Sequence, residues 1–589
     1  MAKEARNFAF YGKQAIIYSV GTIPETSSEL VESGLFGEVL SMFMESLREK
    51  HSSLLKIFPP HMERKTQDRA IHDALRLLSV MDISAARKAR PDLKPLLKDA
   101  YLLHDFAERL YNFWRSYERF FVCHSENGLA TPLDQKPYRT FNDTIARLNH
   151  MTRKVYRDVC ENITGDHPRI YRQVAAGCQL GVIASDREWP CPPAYKALSG
   201  IPFIRQVYMS PPLILDPPMN KRDGFFSKVS ENPLEGIDFP PRDWICYPAK
   251  VCDTVIHIFF HARFTGLGVS LANLFELAED SDLTRKPDAV YAYGVPEAKL
   301  KRFGKNKTVF YDDRKNGVMV GAVPGEDAYG YFGYLKKMAL TLHNSISIRK
   351  GRLPVHGAMV RIEMRNGKSA NVVIWGDTGA GKSETLEAFR VLGDQYIRGM
   401  KVVFDDMGSL DIVKGKVVAY GTETGAFVRL DDLQPGFAFG NMDRAIIHSP
   451  HKINSRVIIP VTTQEEVTKG HPVDFLLYAN NYQEVNEKQK ILEEFHSAPA
   501  AMAVFREGSR MAKGTTREKG IVNSYFANPF GPLQYEKEYE KLAKKYFEKI
   551  FSSGTYVGQL RTRLGIPGFE TKGPETAAKE LFSVIAKMK

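Results

Sequence analysis

Between Leu35 and about Ile163 the apolar positions recur every three or four residues: Leu35, Val39, Phe43 and Leu47, then Ala70, Leu75 and Leu78, then Leu103, Phe106, Leu110 and Trp114. That period lines one face of a helix, so residues 1–200 are predicted to be a mostly helical region. Its aromatic and arginine-rich stretch, Tyr111 to Phe121, reads as core and not as a base-stacking surface, because aromatics at helical spacing face inward. From about Gly200 the apolar runs shorten and proline punctuates them, a texture of mixed strands and loops. Pro211, Pro212, Pro217 and Pro218 mark one boundary, and the glycine-rich run from Val320 to Tyr334 marks a second. The expected organisation is therefore an N-terminal helical region, a mixed α/β middle domain over 201–335 as a candidate substrate-side lobe, and an α/β domain over 336–589. In the last of these, strand-like runs (Asn371 to Trp375, Lys401 to Phe404, Arg456 to Val461, Phe475 to Leu477) alternate with helical ones. A late helix is expected with Tyr535, Tyr539, Leu542, Tyr546 and Ile550 on one face.

The chemistry begins in that C-terminal domain, at NVVIWGDTGAGKSETLEAF. Gly376, Gly381, Lys382 and Ser383 satisfy the Gly-x-x-x-x-Gly-Lys-Ser pattern, between an apolar strand-like run and a helix-forming one. Such a loop turns backbone N–H groups toward an anion at a helix N-terminus, where the donors are unsatisfied and the dipole is positive. The loop Gly376, Asp377, Thr378, Gly379, Ala380, Gly381, Lys382, Ser383 and Glu384 is thus the expected nucleotide-phosphate cradle. Lys382 would reach the β/γ-phosphates and Ser383 the magnesium ion. Twenty-three residues after Lys382, the run KVVFDDMGS is expected to end a strand on two carboxylates, Asp405 and Asp406. Carboxylates at such a position hold magnesium or its water, and one can serve as base toward an attacking hydroxyl.

Composition adds little that contradicts this. Hydrophobic residues are 43% and charged residues 25% of 589, which excludes a disordered or fibrous chain. The formal charge of +12 suits anionic ligands without choosing among them. Six cysteines with no C-x-x-C spacing argue against a disulfide framework or a zinc ribbon. The start MAKEARNFAFYGKQ lacks a signal-peptide core, and the most apolar stretch, Val255 to Phe275, is broken by His257, His261 and Arg263. A cytoplasmic protein with no membrane and no nucleic-acid partner is expected.

The motifs together resemble the superfamily of phosphoenolpyruvate carboxykinases and HPr kinases. The loop GDTGAGKSE preceded by VHGAMVRIE is similar to the HPr kinase form, and the flanking sequence is similar to the ATP-type carboxykinases. Tyr331 to Lys337 (YFGYLKK) resembles the carboxykinase tyrosine-glycine-lysine-lysine segment, with His356 following at the family's spacing. INSRVIIPV carries Arg456 where the family has an arginine before a strand, FLLYANN follows, and MAKGTTREKG and NPFGPLQYEKEY resemble its later segments. The resemblance runs over about residues 329–565 with motif order preserved. It implies a P-loop-containing carboxykinase-like fold, with nucleoside triphosphate bound as its magnesium complex, ATP ahead of GTP. It implies a second metal, manganese, held by Lys337, His356 and Asp406, with Lys ligating as the neutral amine. Arg456 would lie across the transferred phosphoryl group, and Tyr331 and Lys336 would contact a small carboxylate or phosphorylated metabolite. Lys382, Arg456, Asp405 and Lys337 are the implied catalytic set.

The family's N-terminal TGRSPKD-type motif has no counterpart. The nearest basic clusters are Lys221-Arg222, Arg205 and Arg314-Lys315. The adenine-contacting segment is matched loosely by GTYVGQLRTRLGIPG, with Arg561 and Arg563 as candidates. The expected function is metal-dependent phosphoryl transfer of the carboxykinase type, interconverting oxaloacetate and phosphoenolpyruvate. The alternatives are an HPr-kinase-like transfer to a hydroxyl and a catalytically silent nucleotide-binding protein.

Overall fold

A computed structural model describes residues 7–588 apart from 20–22, 126–134, 171–175, 378, 431–432, 434–439, 488 and 513–518. The fold is mixed α/β with several mixed sheets. The chain forms two compact units, residues 1–186 with 204–210 and residues 187–203 with 211–589. The second unit resumes at Pro211, within the proline cluster. The expected boundary at 335/336 falls inside the continuous helix Phe332–Arg349 and so divides nothing.

In the first unit the helices Gly34–Glu49, Arg64–Leu78, Ala100–Arg115 and Gln135–Thr164 gather Phe43, Leu47, Leu75, Leu78, Leu103, Phe106 and Leu110 into one core. The helical period alone missed a sheet. Phe8–Tyr11 and Gln14–Ser19 form an antiparallel hairpin, and Glu118–Ser125 and Leu180–Ser185 add to it in parallel. The Tyr111 to Phe121 stretch therefore divides, its first half ending a helix and its second half entering a strand, where Phe120 and Phe121 are buried.

The second unit is built on an eight-stranded sheet in the order His471–Pro472, Lys416–Gly421, Ile397–Val413, Leu353–Met364, Ser369–Trp375, Phe475–Asn480, Tyr556–Arg561, Leu492–Glu494. Ser369–Trp375 runs parallel to Phe475–Asn480 and antiparallel to Leu353–Met364. Alternation sends Val372 and Ile374 to one face, where Leu386 and Phe389 of the helix Lys382–Val391 meet Leu581 and Phe582 of Lys572–Lys587. Trp375 points to the other face, against Phe505 of the helix Ala498–Glu507 and Phe547 of Glu536–Ser552. The last helix, Lys572–Lys587, has no counterpart in the expected elements. Three further sheets complete the unit. One includes the order Trp244–Val251, Thr254–His261, Ala289–Val295, Val318–Pro324, Val309–Asp313 and Ser227–Val229. The second joins Gly425–Arg429, Arg456–Pro460, Ile446–His448 and Leu213–Leu215, and the third pairs Ser509–Met511 with Ile521–Asn523. The helix Phe332–Arg349 is buried along nearly its whole length, which rigidly places the lysine pair of its first turns. No helix among the described residues is long and apolar enough to cross a membrane.

Candidate functional site

The phosphate loop leaves the C-terminal end of Ser369–Trp375 and enters the helix Lys382–Val391 at Gly381, whose φ of +98° is left-handed. Only glycine adopts this without strain, and a Cβ there would also lie 3.0 Å from Thr562 Oγ1. At Gly376 a Cβ would approach Ala380 Cβ to 2.9 Å, so both motif glycines are dictated by close packing. Lys382 Nζ donates to the carbonyls of Gly376 and Asp377 at 2.8 and 2.9 Å, which holds its ammonium over the loop by neutral acceptors. Burial lowers its pKa from the usual lysine value. Asp377 is fixed from outside the motif, its Oδ2 accepting from Arg510 Nε at 3.1 Å. Thr378 and the Ser383 side chain lie outside the described residues.

The lysine pair, the histidine and the second aspartate meet on one carboxylate. Lys337 Nζ lies 2.7 Å from both oxygens of Asp406, Lys336 Nζ is 2.7 Å from Oδ2, and His356 Nε2 is 3.0 Å from Oδ1. The Asp pair does not end its strand as expected. Ile397–Val413 continues through it, with pairing to Leu353–Met364 slipping by one residue just before Phe404. Asp406 takes φ +144°, a conformation L residues rarely adopt, and faces Gly357 across the ladder. Strand pairing thus brings His356 and Asp406 side by side, and the helix Phe332–Arg349 supplies both lysines from above.

Burial would raise the Asp406 carboxyl, but Lys336, Lys337 and His356 hold it well below the usual range. Burial and the neighbouring Lys336 charge bring Lys337 down to about 8 against the pull of Asp406. Lys336, although buried, is pushed up because Asp406 and Glu423 both face it. Burial pushes Glu423 up to about 7, with Asp406 acting the same way and Lys336 opposing. Burial and the charge of Asp406 also raise Asp405.

These groups open on a cleft of about 370 Å³, the size of a small-molecule site. Tyr331, Lys337, Asp377, Gly379, Lys382, Glu384, Asp405, Asp406 and Arg456 line it, and the fully buried His356 does not. Nor does Lys336. It is 1% exposed, tied to Asp406 and to Glu423 at 3.2 Å, and serves to hold the carboxylate and not to face a substrate. Arg456 lies 5.6 Å over the Phe427 ring, and its Nε has no hydrogen-bond partner among the described residues. Arg561 is paired with Glu493 and hydrogen-bonded to Gln483, while Arg563 stacks on Phe569. Neither arginine lines the cleft.

Sequence reasoning left other members unassigned. Arg222 lines the cleft, its guanidinium 5.4 Å from the Phe226 ring and 5.2 Å from that of Phe530. Arg429 and Arg510 line it too. Arg222 carried a weak signal as part of a basic pair, whereas Glu423 in GTETG carried none. A further element is the short segment Phe526-Ala527, both residues at positive φ of 48° and 51°. Trp375 Nε1 donates to the Phe526 carbonyl at 2.8 Å, and the Ala527 carbonyl is 2.8 Å from His356 Nδ1. Local strain there is held by packing and spent on aiming the imidazole.

The donor set of Lys337 Nζ, His356 Nε2 and Asp406 Oδ1, two nitrogens and one oxygen, suits a transition metal better than magnesium. Chemically the cleft can surround a polyanion with ammonium, guanidinium and loop N–H groups, and it contains no serine or cysteine nucleophile paired with a base among its lining residues. No family model matches the chain, and none of the curated proteins compared with it does.

Proposed function

We propose that this protein is a metal-dependent phosphotransferase of the carboxykinase type, interconverting oxaloacetate plus nucleoside triphosphate with phosphoenolpyruvate, carbon dioxide and nucleoside diphosphate. The convergence of Lys337 and the buried His356 on Asp406, with Lys337 and Asp406 lining one cleft with Lys382 of the glycine-rich loop, supports this proposal.

The residues fit a metal. His356 Nε2 lies 3.0 Å from Asp406 Oδ1 and its other ring nitrogen is 2.8 Å from the Ala527 carbonyl, so the imidazole is oriented from behind as metal-ligating histidines are. Lys337, His356 and Asp406 would hold a manganese-class ion, and Ser383 the magnesium of the nucleotide. When bound, such ions neutralise charge on phosphoryl and enolate oxygens. Lys382 and the loop N–H groups then orient the β- and γ-phosphates. Arg456 neutralises the transferred group, and Phe427 and Phe530 limit water around it. Arg222, which lines the cleft with Tyr331, would receive the carboxylate of the organic substrate, a role the missing N-terminal arginine motif left open. Phosphoryl transfer needs this kind of positioning and charge neutralisation more than it needs covalent chemistry.

A second possibility, transfer to a hydroxyl, is favoured by Asp405, which lines the cleft next to Asp406 where a base toward an attacking hydroxyl would stand. Incubation with ATP or GTP, magnesium, manganese and oxaloacetate separates the two. Phosphoenolpyruvate formed by the wild type and lost in Lys382→Ala supports the carboxykinase reaction. Nucleotide binding with no phosphoenolpyruvate under any metal or nucleotide overturns it.

A further inference from the structure

Away from the phosphate loop, three side chains in the first unit come together on two packed helices. His104 and Glu108 stand one turn apart on Ala100–Arg115, His104 Nε2 4.0 Å from Glu108 Oε1. Cys160 lies on the neighbouring helix Gln135–Thr164, and one donor atom from each of the three residues is within 4.8 Å of the others. The i, i+4 spacing is what places imidazole and carboxylate on one helix face. Cys160 is only 8% exposed, whereas the His104 and Glu108 side chains are 35% and 36% exposed. The thiol is the floor of the cluster, and the other two groups form a rim that solvent reaches.

Glu108 is held from the second helix as well. The Tyr156 hydroxyl, one turn before Cys160, donates to Glu108 Oε1. The Tyr156 ring is itself fixed by stacking on Tyr111, centroids 3.9 Å apart. An ordinary surface ion pair would account for His104 with Glu108 alone. It does not account for a thiol beneath them or for a hydroxyl that orients the carboxylate, the outer-shell arrangement typical of metal ligands.

We propose that His104, Glu108 and Cys160 form a binding site for a zinc-class divalent cation, with water completing a tetrahedron. One nitrogen, one oxygen and one sulfur donor match a borderline-soft ion and exclude magnesium and calcium, which take oxygen ligands. Binding replaces the thiol proton, which leaves to solvent, and forms the metal–thiolate bond with no change of oxidation state. Because Leu103, Phe106, Ala107, Val159 and Cys160 share one core, the ion would clip the two helices together at its edge. The site is independent of the phosphotransferase proposal.

The test is titration of the chelator-stripped full-length protein with cobalt(II), followed by displacement with zinc. One equivalent of cobalt should give tetrahedral d–d bands and a thiolate-to-cobalt charge-transfer band, both removed by zinc. Cys160→Ser should abolish the charge-transfer band, and Tyr156→Phe should keep its shape while weakening affinity about 10–100-fold, the usual cost of losing a partner that orients a ligand. The band should persist in His356→Ala, which separates this site from the cleft, and far-ultraviolet dichroism of each stripped variant confirms folding. No thiolate band in the wild type, or one that survives Cys160→Ser, overturns the proposal.

Discussion

His356 and Asp406 face each other with Nε2 3.0 Å from Oδ1, while the opposite ring nitrogen is 2.8 Å from the Ala527 carbonyl. That pairing makes His356 the residue on which a second metal should depend. Micromolar manganese is expected to activate strongly over millimolar magnesium alone, and His356→Ala should abolish this synergy while nucleotide binding survives. Full activity with magnesium alone, unchanged in His356→Ala, would favour the hydroxyl kinase. Steady-state rates across a manganese titration decide it.

Lys382→Ala removes the ammonium above the phosphate loop and leaves the backbone donors in place. Turnover should fall by roughly 10²–10⁴-fold with nucleotide affinity much less affected, the scale on which preorganised charge stabilisation is lost. Comparing kcat with nucleotide Kd tests this, and activity within a few-fold of wild type would remove the loop from the mechanism.

Asp406 also neutralises two buried lysines, so Asp406→Asn should do more than weaken metal binding. Leaving Lys336 and Lys337 opposite a neutral amide should destabilise the fold by about 3–5 kcal/mol, the cost of breaking a buried ion pair. Glu423→Gln should cost clearly less, because burial already brings that carboxyl up to about 7 and so leaves it part-neutral. Chemical denaturation of the two variants measures the difference. Equal losses would mean that Glu423 carries as much of the lysine charge as Asp406.

Arg222→Ala should raise KM for the organic acid with little change in nucleotide affinity, since its guanidinium lies against the Phe226 and Phe530 rings and not on a loop carbonyl as Lys382 does. A loss confined to nucleotide binding would assign Arg222 to the phosphate side instead.

Acid stability should depend on His257. Its ring is fully buried among Trp189, Phe203 and Phe259, and neither ring nitrogen has a hydrogen-bond partner among the described residues. Burial pushes it from 6.5 down to about 3. Below pH 6.5 the unfolded chain takes up a proton that the folded ring refuses, so stability present above that pH is lost as pH falls toward 3. His343 and His448, lowered by burial to about 4 and 3, act in the same direction. His257→Phe keeps the ring and removes the proton site, so its Tm should fall less than the wild type's between pH 6.5 and 4.5. Parallel Tm curves would show that His257 does not govern the acid limb.

What the sequence determined by itself was local. The phosphate loop is legible because Gly376, Gly381, Lys382 and Ser383 must sit at fixed spacing between a strand and a helix, and Ser369–Trp375 and Lys382–Val391 are where that spacing puts them. Helical periods likewise gave Gly34–Glu49, Arg64–Leu78 and Ala100–Arg115, since a 3.6-residue repeat needs no partner to be visible. Tertiary structure decided the rest. Asp406 is mid-strand because pairing with Leu353–Met364 extends the strand beyond what its own residues signal. Lys336 and Lys337 are adjacent in sequence, yet a helix turns successive side chains by about 100°, so one faces the cleft and the other is sealed against Glu423. Arg222 and Glu423 lie more than a hundred residues from the loop in one case and in an unremarkable run in the other. No local pattern marks them, because only tertiary packing brings Arg222 to the cleft and Glu423 to Lys336.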